Sequence, residues 1–569
     1  MSRPLFRLAP CLFGLTLSLS VPSHADELQQ VLEGALTQHT QELKLGKNAP
    51  EIYHLRYHVM SMEQVDIVAS QGFIVTQNTS PYRMLSVELR VGEPMYDNTG
   101  FGGWENGFGF SWLPQVVTPH ATKMALWRMT DEAYKQAIEQ YSRKKAQFKA
   151  PKDYPGDYTL ADAVVHEDGP PPKLDQEGLT TLAKRLSSAF AGTPGLVRGE
   201  VHIGQEAGYH LIVDTGGHRV RRSVGETSVR ALLHVRTADG MLLTDSRLWT
   251  VRSSTDLAET DDLLERVNTM KRELLATAAA PVLEQEYVGP VVFHDSASVD
   301  LFRQLLLPQL EGTPAEVPFD SFFGELGSGP RGVVRIGRRV LPVGWNVSDD
   351  PGAQPQHPGA FTHDWEGTPA KSVNLVVDGI VRDVLMSRVP RQGRSESNGH
   401  ARGSLRQRLS GRPVATTVTP SRPTTRNKLH KRAVKLAQAY GRDWYLRVER
   451  LQEPAVRSLG TNEYGDDSDM AMPVRMFKVR SDGSEQVVRG ARFASVQRFA
   501  LRDIIAAGPQ TQASFMIPSD PGGGLYSPTG GLPTWMSAPE ILVGELEVVP
   551  APGDPNDSPV LPHPNGAMP

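Results

Sequence analysis

The chain has almost no sulfur to work with. Cys11 is the one cysteine among 569 residues, so an intrachain disulfide cannot form and a disulfide-held scaffold is excluded. Aromatic residues make up only 7% of the chain, and the longest apolar stretch, near Leu8–Leu19, falls short of the ~20 residues a helix needs to cross a bilayer. A G-x-x-x-x-G-K-S/T phosphate loop is also missing, as is a G-x-S-x-G nucleophile elbow. The Gly522–Gly524 run sits in a Ser/Pro/Gly stretch and offers no strand-to-helix turn for a nucleotide. No charge of one sign dominates, with 60 Lys and Arg against 64 Asp and Glu. An ordinary 39% hydrophobic content excludes wholesale disorder.

What is present begins with a leader pattern. Arg3 and Arg7 precede the apolar stretch, and Ser23-His24-Ala25 is a small-x-small cleavage site. The expectation is a signal peptide over 1–25, cut after Ala25, and a periplasmic or secreted protein. Removal of Cys11 with it leaves no thiolate for catalysis or metal binding.

Beyond the leader, residues 26–45 carry Leu28, Val31, Leu32, Leu36 and Leu43 at helical spacing. Four strand-like stretches follow between Ile52 and Gly92, then a helix near 121–148 and another over 176–191. Strands dominate 199–252 and a helix falls near 256–279. After a boundary at 281–288 come the strand GPVVFHD and one helix, SVDLFRQLLLPQL. Asp378-Gly379 and Ser481–Ser484 are hairpin signals, and Gly441 caps a helix over 428–440. Strand blocks broken by a few helices, without regular βαβ alternation, predict an α+β fold with mostly antiparallel β-sheets. The expected divisions are an N-terminal α+β domain over 26–118, a helix-plus-strand domain over 119–285, a β-rich domain over 286–549 and a disordered Pro-rich tail over 550–569.

Chemistry is harder to find. His166-Glu167 leads into prolines that forbid a zincin helix. His54 with His58, and His202 with His210, share strand faces and could hold a metal, although hydrogen-bonded strand histidines are commoner. His294-Asp295 opens a helix that Asp295 or Ser296 would cap. Between Arg382 and Arg450 there are 17 Lys and Arg but four Asp and Glu. Such a block could bind an anionic envelope component, or form a solvated basic face. No zinc-finger or RNP spacing accompanies it, so specific nucleic-acid binding is not expected.

Several blocks in order resemble the TldD/PmbA family, the modulator-of-gyrase metallopeptidases and their inactive relatives. They are GPVVFHDSASVDLFRQLLLPQL at 289–310, IGRRVLPVGWNVSDDPG at 336–352, HDWEGTPAKSVNLVVDGIVRDVLMSRVPRQG at 363–393 and SNGHAR at 397–402. VRSDGSEQVVRGARF at 479–493, LRDIIAAG at 501–508 and APEILVGELEV at 538–548 complete the series. The resemblance implies a multi-domain fold with a β-rich C-terminal domain, and a dimer with itself or with another family subunit. Active members carry His-Glu-x-x-x-His and a later cysteine around zinc. Here the histidine positions fall on Arg303 and Pro308 and the glutamate on Gln304, and no cysteine follows Cys11. Arginine, proline and glutamine supply neither ligand nor base, so no zinc is expected.

The resemblance then implies a catalytically inactive homologue that binds unfolded peptide or serves as partner to an active subunit. Alternatives are a peptidase with a non-standard site and a basic-surface binding module. Candidate groove residues are Asp364 and Glu366 in HDWEG, and Asn398, Gly399 and His400 in SNGH. The competing reading for all five is turn chemistry.

Overall fold

A computed structural model describes residues 24–43, 49–102, 107–113, 118–314, 334–453, 470–494, 496, 498–518 and 531–551. Most of the leader and nearly all of the Pro-rich tail lie outside the described residues. The first half of the chain runs α1 (His24–Glu42), β1 (Ile52–Ser70), β2 (Phe73–Glu93), β3 (Tyr96–Asp97), β4 (Phe108–Trp112), α2 (Pro119–Gln147) and β5 (Val165–Glu167). It continues through α3 (Gln176–Ser187), β6 (Leu196–Asp214), β7 (Arg219–Arg236), β8 (Leu242–Val251) and α4 (Thr260–Ala278). All eight strands form one sheet in the order β3-β2-β1-β6-β7-β5, with β4 also on β2 and β8 also on β7. Strands from the stretches 26–118 and 119–285 therefore share a layer, since β1 lies between β2 and β6.

The four strand-like stretches expected over 52–92 are two long strands. Their one turn is at Gln71-Gly72, both at positive φ, while Ser61–Gln64 and Thr79–Tyr82 stay paired in register within the hairpin. Polar residues there occupy an extended ladder rather than breaking it. The period of two sorts side chains by face. Leu55, Tyr57 and Val59 pack under α1 and α2, and Val65, Ile67, Val201 and Val229 pack under α3 and α4. His54, Arg56 and His58 point to the opposite face, where His54 meets Tyr158, Arg56 pairs with Glu366 and His58 meets Trp365.

That half runs β9 (Tyr287–Phe293), α5 (Asp295–Leu305), α6 (Leu307–Leu310), β10 (Trp345–Asp349), β11 (Val373–Val377), β12 (Ile380–Val381), β13 (Ala401–Arg402), β14 (Ser410–Gly411) and β15 (Ala415–Pro420). It ends with α7 (Arg426–Ala439), β16 (Trp444–Leu451), β17 (Pro473–Arg480), β18 (Glu485–Val488), β19 (Ala491–Phe493), β20 (Ile504–Ile517) and β21 (Leu532–Pro550). Eleven of these strands form a second sheet, ordered β12-β11-β10-β15-β21-β9-β16-β17-β18, with β19 and β20 also on β21. Most pairs are antiparallel; β15 with β21 and β9 with β16 are parallel. Alternation in β9 again sets the layers. Val291 and Phe293 join the core that holds α5, and Val292 joins the cluster under α7. Each fully buried Leu, Val or Phe contributes about 1.5–3 kcal/mol to these layers. The fold is α+β with mostly antiparallel sheets, as the strand pattern predicts. The hairpin at Asp378-Gly379 forms with both residues at positive φ.

Candidate functional site

Helix α5 buries Ala297, Leu301, Phe302 and Leu305, at the spacing that packs one helical face. Ser296, Asp300 and Arg303 turn away from that core and border a cavity of about 630 Å³. The single helix expected over this stretch is two. Leu306 ends α5, and Pro308 lies in the first turn of α6, because proline has no N–H to continue the ladder. The first turn of α5 also differs from expectation. His294 is the N-cap residue without a side-chain cap bond. Asp295 does not cap; it sits at φ 45° and pairs with His294 and Arg426.

Three other walls close the cavity. Ser246–Val251 of β8 and Thr511–Met516 of β20 line two sides, and Arg450 and Leu451 of β16 a third. Among the described residues β8 pairs only with β7, and β20 only with β21. Both strands thus present an open edge of backbone N–H and C=O groups at the cavity, a template for an added extended chain.

Of the three positions onto which the resemblance maps a zinc motif, two are bonded within the protein. Arg303 Nε and Nη2 donate to Asp300 Oδ1 at 3.0 and 2.7 Å. Gln304 donates to the Asp300 carbonyl at 3.2 Å and accepts the Ala471 N–H at 2.9 Å. Pro308 offers no donor atom. A cation, a carboxamide and a proline do not fit zinc.

Near the cavity, His294, Asp295 and Glu449 bring possible ligand atoms within 4.8 Å of one another. Several of their atoms have protein partners, although His294 Nδ1 is buried without a hydrogen bond and lies 3.4 Å from Asp295. Glu449 pairs with Arg447 and Arg475, each at 2.9 Å, and His294 Nε2 lies 3.1 Å from Glu540. Burial lowers the His294 pKa, but hydrogen bonds to Asp295 and Glu540 outweigh it and carry the ring up to about 9.

The five groove candidates lie elsewhere, and none lines the cavity. Asp364 accepts the N–H groups of Glu366, Thr368 and Ala401 at 2.8–3.0 Å. Burial and then Glu366 raise its pKa. Glu366 accepts the Arg388 N–H at 2.6 Å and pairs with Arg56 at 3.3 Å. Asn398 accepts from Met386 N–H and donates to the Val384 carbonyl, both at 2.8 Å. His400 lies 3.0 Å from the Asn398 side chain and 3.2 Å from Asp349. Gly399 has φ 74°, and a Cβ there would fall 2.3 Å from the Pro369 carbonyl oxygen, so only glycine fits. Turn chemistry and buried pairing account for all five.

The histidine and arginine patterns also resolve differently from their sequence spacing. His58 bonds across the sheet to His210 at 2.8 Å, rather than to its strand neighbour His54. Part of the basic block is not surface, because Arg388, Arg402 and Arg412 are fully buried, while Lys428, Lys431, Arg432 and Lys435 are exposed on α7. Arg394, Arg426, Arg447 and Arg450 are paired with acids. Sequence reading missed Asp300, Arg247, Arg450 and Phe515 at the cavity. Asp300 alone had a signal, its i,i+3 spacing to Arg303.

The chain is thus α+β, with two sheets that meet at a cavity floored by α5. Residues 285–439 match the family of the PmbA/TldA metallopeptidase C-terminal domain, so that stretch of the chain is a domain of this kind. The chain's fold is similar to that of a protein described as a modulator of a DNA gyrase from Thermotoga maritima. That match has a TM-score of 0.58 and 15% identity, and covers 92% of this chain and 100% of the other. TldE from Thermococcus kodakarensis matches at TM-score 0.56 and 12% identity, over 91% and 100%. A Bacteroides thetaiotaomicron protein, also described as a modulator of DNA gyrase, matches at 0.54 and 12%, over 92% and 99%. No curated protein matches the chain significantly in sequence.

Proposed function

We propose that this chain is an exported, metallopeptidase-like protein that holds an extended, unfolded peptide between β8 and β20 without hydrolysing it through zinc. It acts alone or as one subunit of a pair with another family member. One observation carries the reading. The α5 positions that bear zinc ligands and base in active relatives hold Arg303 and Gln304, both tied into the protein's own bonds. The open strand edges beside them supply main-chain pairing that is indifferent to peptide sequence. The leader pattern over 1–25 supports export to the periplasm or exterior.

Fluorescence anisotropy with labelled unfolded peptides, run alongside mass spectrometry of the same mixtures, tests the proposal. Saturable binding with intact peptide, unchanged by a chelator, is the expected result. Cleavage that stops on chelation contradicts it. Among the described residues, a rebuilt hydrolytic centre has one set of residues to rest on, His294, Asp295 and Glu449. In that reading H294A abolishes turnover.

A further inference from the structure

Arg303 is more than a lost ligand. Asp300, three residues earlier on α5, takes both Nε and Nη2 through a single carboxylate oxygen. The guanidinium carbon lies 5.3 Å from the centre of the Phe515 ring on β20. Bonded along one edge and laid against an aromatic ring, the planar group has a fixed orientation. The side chain is only 10% exposed. Its Nη1 has no hydrogen-bond partner among the described residues. It borders the cavity. The unused edge, Nη1 with the second Nη2 hydrogen, is the fork that a carboxylate accepts in a bidentate pair.

The other charges around the cavity are largely spoken for. Arg247 and Arg450 are both bonded to Asp245 and Glu273. Glu453 accepts from Ser246 and pairs with Arg230, and Asp256 accepts the Ser253 N–H; Arg266 also lines the cavity but is exposed to solvent. A ligand therefore meets a cationic fork in the floor whose own carboxylate partner faces its other edge.

We propose that Arg303 is a carboxylate receptor, so that the cavity selects extended peptides that present a carboxylate at the α5 end. This rests on the peptide-binding reading above and adds its substrate class. The carboxylate is either the peptide's C-terminus or an Asp or Glu side chain, and the chemistry at Arg303 is the same for both.

The full-length chain is tested by anisotropy with four forms of one unfolded peptide: free C-terminus or C-terminal amide, each with and without one internal Asp. A charge-assisted pair in a partly desolvated cavity is expected to favour a carboxylate-bearing form about tenfold or more over the neutral amide. Whichever form gains identifies the source, terminus or side chain. R303M is expected to remove that preference, read as the ratio of affinities for the carboxylate-bearing and amide forms. R303K, which keeps charge but loses the fork, retains only part of the preference. Thermal unfolding of each variant checks that it folds.

Equal binding of all four forms by the unaltered chain overturns the carboxylate site but leaves peptide binding standing. So does a preference that survives in a folded R303M. Failure to bind any form overturns both.

Discussion

The side-chain oxygen of Gln304 accepts the backbone N–H of Ala471 at 2.9 Å, where the resemblance places the general base of active relatives. The residue that would activate water is used here as a peg. It joins α5 to the segment leading into β17. Q304A is expected to cost about 1 kcal/mol, one net hydrogen bond, read as a lowered Tm. Q304E keeps the acceptor but gains no hydrolysis, since the neighbouring motif positions hold Arg303 and Pro308. Peptidase activity in Q304E would contradict this.

His294 makes stability depend on pH. Its folded pKa lies above its ordinary 6.5, at about 9, so its contribution is fully present below pH 6.5 and is lost as pH rises through about 9. The Tm of the unaltered chain should therefore fall between those values. H294Q should lose less over the same window. Parallel curves for the two proteins would show that the ring is not held protonated by Asp295 and Glu540.

Arg450 locks the two halves together. Its Nη1 bonds Asp245 on β8 at 3.0 Å and Glu273 on α4 at 3.1 Å, while Arg475 and Glu449 continue the alternation along β16 and β17. Asp245 is 3% exposed. R450M removes two charge-assisted bonds and should cost about 2 kcal/mol. Limited proteolysis should then cut more readily between the halves, and an unchanged digestion pattern would refute the lock.

Glu366 separates structure from binding. It joins the loop before β11 to the first sheet through Arg56, and it accepts the Arg388 N–H. E366Q should destabilise the chain by about 3 kcal/mol by leaving a buried arginine short of its anion. Peptide affinity of the folded protein should stay unchanged. A selective loss of affinity would return HDWEG to the binding site.

Much of the layer structure was legible in the sequence. Alternation in β9 and the helical spacing of Leu28, Leu32 and Leu36 report burial directly. The Asp378-Gly379 turn is written in residues that tolerate positive φ. The cavity was not legible, because it forms where β8 and β20 approach across more than 250 residues of chain, and no local pattern encodes that. The sequence reading sought function at Asp364, Glu366 and His400 because polar residues in apparent loops look available. Their burial depends on Arg56, Arg388 and Asp349, which come from distant elements. The basic block misled for a related reason. Composition counts Arg388, Arg402 and Arg412, while topology puts them inside.

Zinc content of the purified chain, produced with added zinc and then dialysed, tests the central claim most directly. Arg303, Gln304 and Pro308 predict far less than one tightly held zinc per chain, with unfolding unaffected by a chelator. About one zinc per chain, retained through dialysis and needed for stability, would contradict it.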